Sequence, residues 1–154
     1  MANQGHACSA KVVAALTLSS GMASAQTFRC DIVNDRSRIY AGKVTTTSNE
    51  FTSVPGTAVR VVQSTSNCLI VEFSAQVKSR SAIELRLTRD ALPVGFPALV
   101  NLVTVDRSDN RTVRFLVQTD AANIGDHIYA IEFRSDDGES ASMSRIMTTV
   151  YYPN

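Results

Sequence analysis

The feature that most constrains this 154-residue chain is strict alternation between Asn67 and Val77. Leu69, Val71, Phe73, Ala75 and Val77 interleave with Ile70, Glu72, Ser74 and Gln76. Successive side chains of a strand point to opposite faces, so a period of two makes a half-buried β-strand, not an amphipathic helix. The pattern recurs. Ala82–Thr88 sets Ile83, Leu85 and Leu87 against Glu84 and Arg86; Arg111–Gln118 sets Val113, Phe115 and Val117 against Thr112 and Arg114. His127–Arg134 carries Tyr129, Ile131 and Phe133 against Glu132, and Ser144–Tyr152 is a final β-rich run. Thr57–Gln63, Val100–Val105 and Phe28–Val33 are further candidates.

Turn chemistry separates these runs. Val54-Pro55-Gly56 suits a type II turn, Asp106–Asn110 is a polar hairpin tip, and Asp136-Asp137-Gly138 links the last two strands. Asn34–Phe51 is polar and fits a weak edge strand around Tyr40. About seven or eight short strands, each with one apolar face, predict an all-β fold, an antiparallel β-sandwich of jelly-roll or immunoglobulin-like type. An outer-membrane barrel fits less well, because several outward positions are Arg or Glu and Trp is absent.

The first 25 residues read differently. Lys11 and the amino terminus are positive, and no acid precedes Asp31. The short apolar run Val12–Leu18 loosens at Ser19-Ser20-Gly21, and Ala23-Ser24-Ala25 fits a small-residue cleavage site. Residues 1–25 are therefore expected to form a helical secretory signal cleaved before Gln26, leaving a single domain over 26–154. The run is too short to span a bilayer, which takes about 20 apolar residues. The expected destination is periplasmic or secreted, with no stable membrane span after cleavage.

Removing the leader changes the balance of the chain. Lys11 goes and no acid does, so the 15 basic residues become 14, equal to the 14 acids. A neutral domain has no electrostatic footprint for nucleic acid. Three cysteines become two when Cys8 leaves, and an even count in an oxidising compartment predicts a Cys30–Cys68 disulfide. The loop it closes, on the order of 38 residues, makes the bridge worth roughly 4 kcal/mol in the chain-entropy account.

Ser53-Val54-Pro55-Gly56-Thr57, Cys68–Gln76, Gly125-Asp126-His127 and Thr148-Thr149-Val150-Tyr151 appear in an order that resembles a loose group of small exported bacterial proteins. The resemblance covers about Phe51–Tyr152. It implies a jelly-roll or immunoglobulin-like sandwich of unassigned function, and carries no catalytic residues across.

Few groups can carry chemistry. His127 is the one histidine left after cleavage, and no G-x-S-x-G elbow accompanies it. It is expected to be a strand-start residue bonded to a neighbouring loop; a small hydrolase using His127 or paired carboxylates is the alternative. One histidine and two bridged cysteines do not make a zinc site, and no cofactor is expected. Asp136, Asp137 and Glu139 cluster around Gly138, with Asp106, Asp109, Asp120 and Asp126 in other loops. These are weak calcium candidates without EF-hand spacing. Tyr40, Tyr151 and Tyr152 are candidate surface aromatics for an unknown protein or glycan partner; Phe96 is a further one, but the favoured expectation is that Phe96 and one tyrosine plug the ends of the sandwich. The leading expectation is a non-enzymatic exported sandwich with a binding or structural role; a carbohydrate-binding or calcium-dependent adhesion module is the alternative.

Overall fold

The computed structural model describes residues 30, 32, 34–64, 68–104, 107–119 and 124–153. The leader, its cleavage site, most of the expected Phe28–Val33 strand, Asp106 and Asp120 lie outside these residues. Among the described residues there are eleven strands: β1 Asn34–Tyr40, β2 Val44–Thr46, β3 Thr52–Ser53, β4 Val59–Gln63, β5 Cys68–Ser79, β6 Ile83–Arg89, β7 Leu92–Val94, β8 Val100–Leu102, β9 Asp109–Gln118, β10 Gly125–Ser135 and β11 Ala141–Tyr152. The alternating runs of the sequence are β4, β5, β6, β9, β10 and β11.

Three pairs of short strands continue one another, namely β1 with β2, β3 with β4, and β7 with β8, which leaves eight runs. The first sheet is ordered β1/β2–β11–β5–β9 and the second β3/β4–β10–β6–β7/β8. All pairings are antiparallel. The first run pairs with the last, the second with the seventh, the third with the sixth and the fourth with the fifth. That is one long hairpin, rolled up so that β11 also meets β5 and β10 also meets β6. Of the two topologies left open by sequence, this pairing is the jelly roll. An immunoglobulin-like sandwich would leave its hairpins flat within each sheet.

Central and edge positions follow from composition. The long apolar-alternating strands β5 and β11 lie inside the first sheet. The polar run Asn34–Thr46 is its edge, where charged residues discourage pairing with another chain. On the second sheet the edge strand β7 contains Pro93, which cannot donate to a ladder and is confined to such places. The core is the inner face of both sheets: Leu69, Val71, Phe73, Phe115, Ile131 and Phe133 are among its buried residues.

Two irregularities shape the first sheet. Between Ser144 and Met147 the β11–β5 register shifts, and Arg145 takes a positive φ of 51°. The extra residue lets both Met143 and Ile146 face the core. At the Val54–Thr57 turn, Gly56 has φ 75°. A Cβ there would stand 2.6 Å from the Cβ of Tyr40, so the turn needs glycine for its backbone and for the ring beside it.

The Cys30–Cys68 disulfide is formed, with Cα atoms 5.4 Å apart. It ties the lead into edge strand β1 to the first residue of central strand β5.

Candidate functional site: the outward face of the first sheet

Pairing decides which outward side chains become neighbours. Tyr151 on β11 lies opposite Asp35 on β1 and opposite Ile70 on β5. Ile70 lies opposite Leu116 on β9. Beyond β9, Phe96 exchanges two backbone hydrogen bonds with Leu116, each 2.8 Å, as an isolated bridge. Directly opposed residues share a face. One row therefore runs Asp35–Tyr151–Ile70–Leu116–Phe96 across the outside of the sheet. Strands sit about 4.8 Å apart, so three steps separate Tyr151 from Phe96 by about 14 Å.

This placement corrects the expectation for Phe96, whose side chain is 59% exposed rather than plugging an end. The reason is its bridge to the edge of β9, which commits the residue to the outward parity of Leu116.

The next row is polar: Ser37, Thr149, Glu72 and Arg114. The Ser37 and Thr149 hydroxyls share a hydrogen bond of 2.9 Å. Arg114 Nε donates to Glu72 Oε2 at 2.6 Å, so these charges cancel at the surface. Burial, with the carboxylates of Glu72 and Asp35, raises the Tyr151 hydroxyl pKa, while Arg114 opposes the shift. The phenol therefore stays protonated through the physiological range. The arrangement offers half-buried apolar surface, an exposed aromatic ring at one end, and hydroxyl and carboxylate acceptors alongside.

The other two candidate tyrosines serve the interior. Tyr40 and Tyr152 are half-buried and packed against the core, Tyr40 between Gly42 and Gly56.

His127 is the third residue of β10, on the inward parity. Its Nδ1 lies 2.7 Å from Asp90 Oδ2, and Asp90 Oδ1 accepts the Ile128 N–H at 2.9 Å. Asp90 and Ala91 form the tight β6–β7 turn, both with positive φ. The Asp90 N–H also donates to the Ile128 carbonyl, at 2.9 Å. Asp90 thus fastens the turn to β10, as expected of a strand-start histidine bonded to a loop. The Ile128 N–H, then His127, hold the Asp90 carboxyl below its ordinary pKa. A carboxylate in reach of His127 is also what a hydrolase would need. Neighbouring Asp126 is engaged elsewhere, forming a bidentate pair with Arg60.

Asp136, Asp137 and Glu139 occupy the β10–β11 turn at the other end of the sandwich. Asp137 Oδ1 accepts the Glu139 N–H at 2.9 Å, and this bond leads in lowering the Asp137 pKa. The cluster closes on its own backbone. Among the described residues, no three His, Cys, Asp or Glu side chains converge as metal ligands.

Asp35, Glu72 and Arg114 went unmarked as site residues in the sequence, where Phe96 reads as an end plug. Period two does place Ile70 with Glu72 and Arg114 with Leu116 on their own strands. Only strand order brings them into adjacent rows.

No family model and no curated protein matches the chain. Among solved structures it is similar to a carbohydrate-binding module from a Cellvibrio mixtus lichenase in complex with cellotriose, at 15% identity and TM-score 0.45, over 80% of this chain and 93% of that one. It is similar to the C-terminal domain of the sugar-binding protein EclA at 9% identity and TM-score 0.39, over 85% and 89%. A Stig cyclase from Fischerella matches at 7% identity and TM-score 0.44, over 87% and 82%. These are weak likenesses of backbone path, and no residue of this chain takes a role from them.

Proposed function

We propose that the chain is an exported, non-catalytic binding module that holds a glycan on the outward face of its first sheet. The observation that carries this reading is the row Tyr151–Ile70–Leu116–Phe96, flanked by Ser37, Thr149 and the Glu72–Arg114 pair. A sugar ring has apolar C–H faces and a rim of hydroxyls. Aromatic and aliphatic side chains cover the first, and a few oriented polar groups take the second. Export is supported by the leader pattern of residues 1–25 and by the disulfide, which suits an oxidising compartment. The mature domain would begin at Gln26, and intact-mass measurement of the exported protein tests that start.

A glycan array tests the binding reading. Wild-type protein should retain at least one glycan class, and the double variant Tyr151→Ala/Phe96→Ala should lose at least about tenfold in affinity, as stacking losses of 1–3 kcal/mol imply. No retained glycan, or an unaffected double variant, refutes the reading.

The Asp90–His127 contact favours a second reading, hydrolysis at the end of the sandwich. Turnover of chromogenic esters or glycosides, abolished by His127→Ala, would establish it in place of the first.

A further inference from the structure

We infer that this face selects neutral glycans over acidic ones, with Asp35 accepting sugar hydroxyls beside the Tyr151 ring. The inference rests on the glycan reading above and names the ligand class of that same site. Tyr151 stands between two carboxylates. Asp35 is directly opposite it across the β1–β11 ladder, where side chains lie about 5 Å apart. Glu72 is its diagonal neighbour on β5, opposite Thr149.

The two acids differ in what they can do. Glu72 is occupied by Arg114 at 2.6 Å, and that pair brings no net charge to the face. Asp35 is exposed and forms no ion pair among the described residues. The adjacent Arg36 points to the other sheet, where it donates to the Arg60 carbonyl at 3.1 Å. An ionised carboxylate only accepts hydrogen bonds, and its two oxygens suit a pair of neighbouring hydroxyls. A uronate or sulfate in the same place would set like charge against Asp35 and find Arg114 already neutralised by Glu72. The neighbouring rows add hydroxyls, from Ser37, Ser74 and Thr112, and the exposed cation of the same parity among the described residues, Lys78, stands eight residues along β5 from Ile70, about 26 Å away and too far to repair that clash.

Affinity electrophoresis of the purified protein tests the inference, with hydroxyethyl cellulose and glucomannan as neutral probes and polygalacturonate and alginate as acidic ones. Wild-type protein should be retarded by at least one neutral polymer and run freely through the acidic ones. Asp35→Ala should weaken neutral binding about tenfold, the scale of a lost charge-assisted hydrogen bond. Asp35→Asn keeps an acceptor oxygen and drops the charge. It should retain more neutral binding than Asp35→Ala and show new retardation in the acidic gels, a gain that a merely structural role for Asp35 would not produce. Asp35 lies on an exposed edge, so matching thermal melts verify that both variants fold. Wild-type binding to the acidic polymers as tightly as to neutral ones, or an unchanged Asp35→Ala, overturns the inference and leaves the glycan reading standing. Binding to neither class overturns both, as does sedimentation showing a dimer that Tyr151→Ala dissociates.

Discussion

Thr57 offers the most direct test of how the second sheet is held together. The edge beside β10 is split into β3 and β4, which pair with Phe133–Glu132 and Tyr129–Gly125. Ile131 falls in the gap. Its carbonyl accepts the Val54 N–H at 2.9 Å, and its N–H donates to Thr57 Oγ1 at 3.1 Å. The same hydroxyl donates to the Val54 carbonyl at 2.7 Å. A buried side-chain oxygen therefore replaces one rung of the ladder. Thr57→Val keeps the shape and removes the oxygen. The Ile131 N–H is then buried without an acceptor, costing about 1–3 kcal/mol, and the lost bond to Val54 adds about 1 kcal/mol. The Val54 carbonyl still receives the Thr57 N–H at 3.3 Å, which limits the second loss. The expected destabilisation is about 2–4 kcal/mol. At roughly 4 °C per kcal/mol for a domain of this size, Tm falls by about 8–16 °C. Thr57→Ser keeps the hydroxyl and loses a methyl, costing about 1 kcal/mol. Calorimetry and urea melts of the two variants separate the terms. A Thr57→Val protein within 1 kcal/mol of wild type, or no less stable than Thr57→Ser, would refute the reasoning.

Two further predictions concern charge and covalent ties. The folded pKa of Asp90 lies below its ordinary value of 3.8, through the Ile128 N–H first and His127 second. Its stabilisation is therefore complete above that value and is lost as pH falls through the lower folded value. The stability gap between wild type and Asp90→Asn should be full at pH 7 and shrink in acid; urea melts showing a gap that widens below pH 4 would contradict the clamp. Reducing the Cys30–Cys68 bridge, whose sequence separation is 38, removes about 4 kcal/mol in the chain-entropy account. A denaturation midpoint unchanged by reductant would count against that role.

Much of the fold was legible because alternation is local. Each of β5, β6, β9 and β10 shows its buried face in its own side chains, and the observed bounds differ from the expected ones by no more than two residues at either end. The edge character of Asn34–Phe51 was legible too, from polarity alone. The short strands were harder. Leu92-Pro93-Val94 shows no alternation of its own, yet pairs with β6 because Asp90 and Ala91 take positive φ without a glycine to announce it. Phe96 reads as an end plug because nothing in Gly95-Phe96-Pro97 reveals its bridge to Leu116.

The sequence by itself determined an all-β chain, the inward and outward faces of its long strands, the pairing partner available to Cys30, and the polar edge. Those follow from period two and from composition, which act over a few residues. The tertiary structure alone decided that the chain rolls as a jelly roll, that Asp90 grips β10, and that residues 35, 151, 70, 116 and 96 stand in one row. The physical reason is that strand order is a choice among many non-local pairings of equally alternating runs. It is made by which inner faces pack together. The outer faces are carried along, so the candidate site is a by-product of core packing that no single strand records.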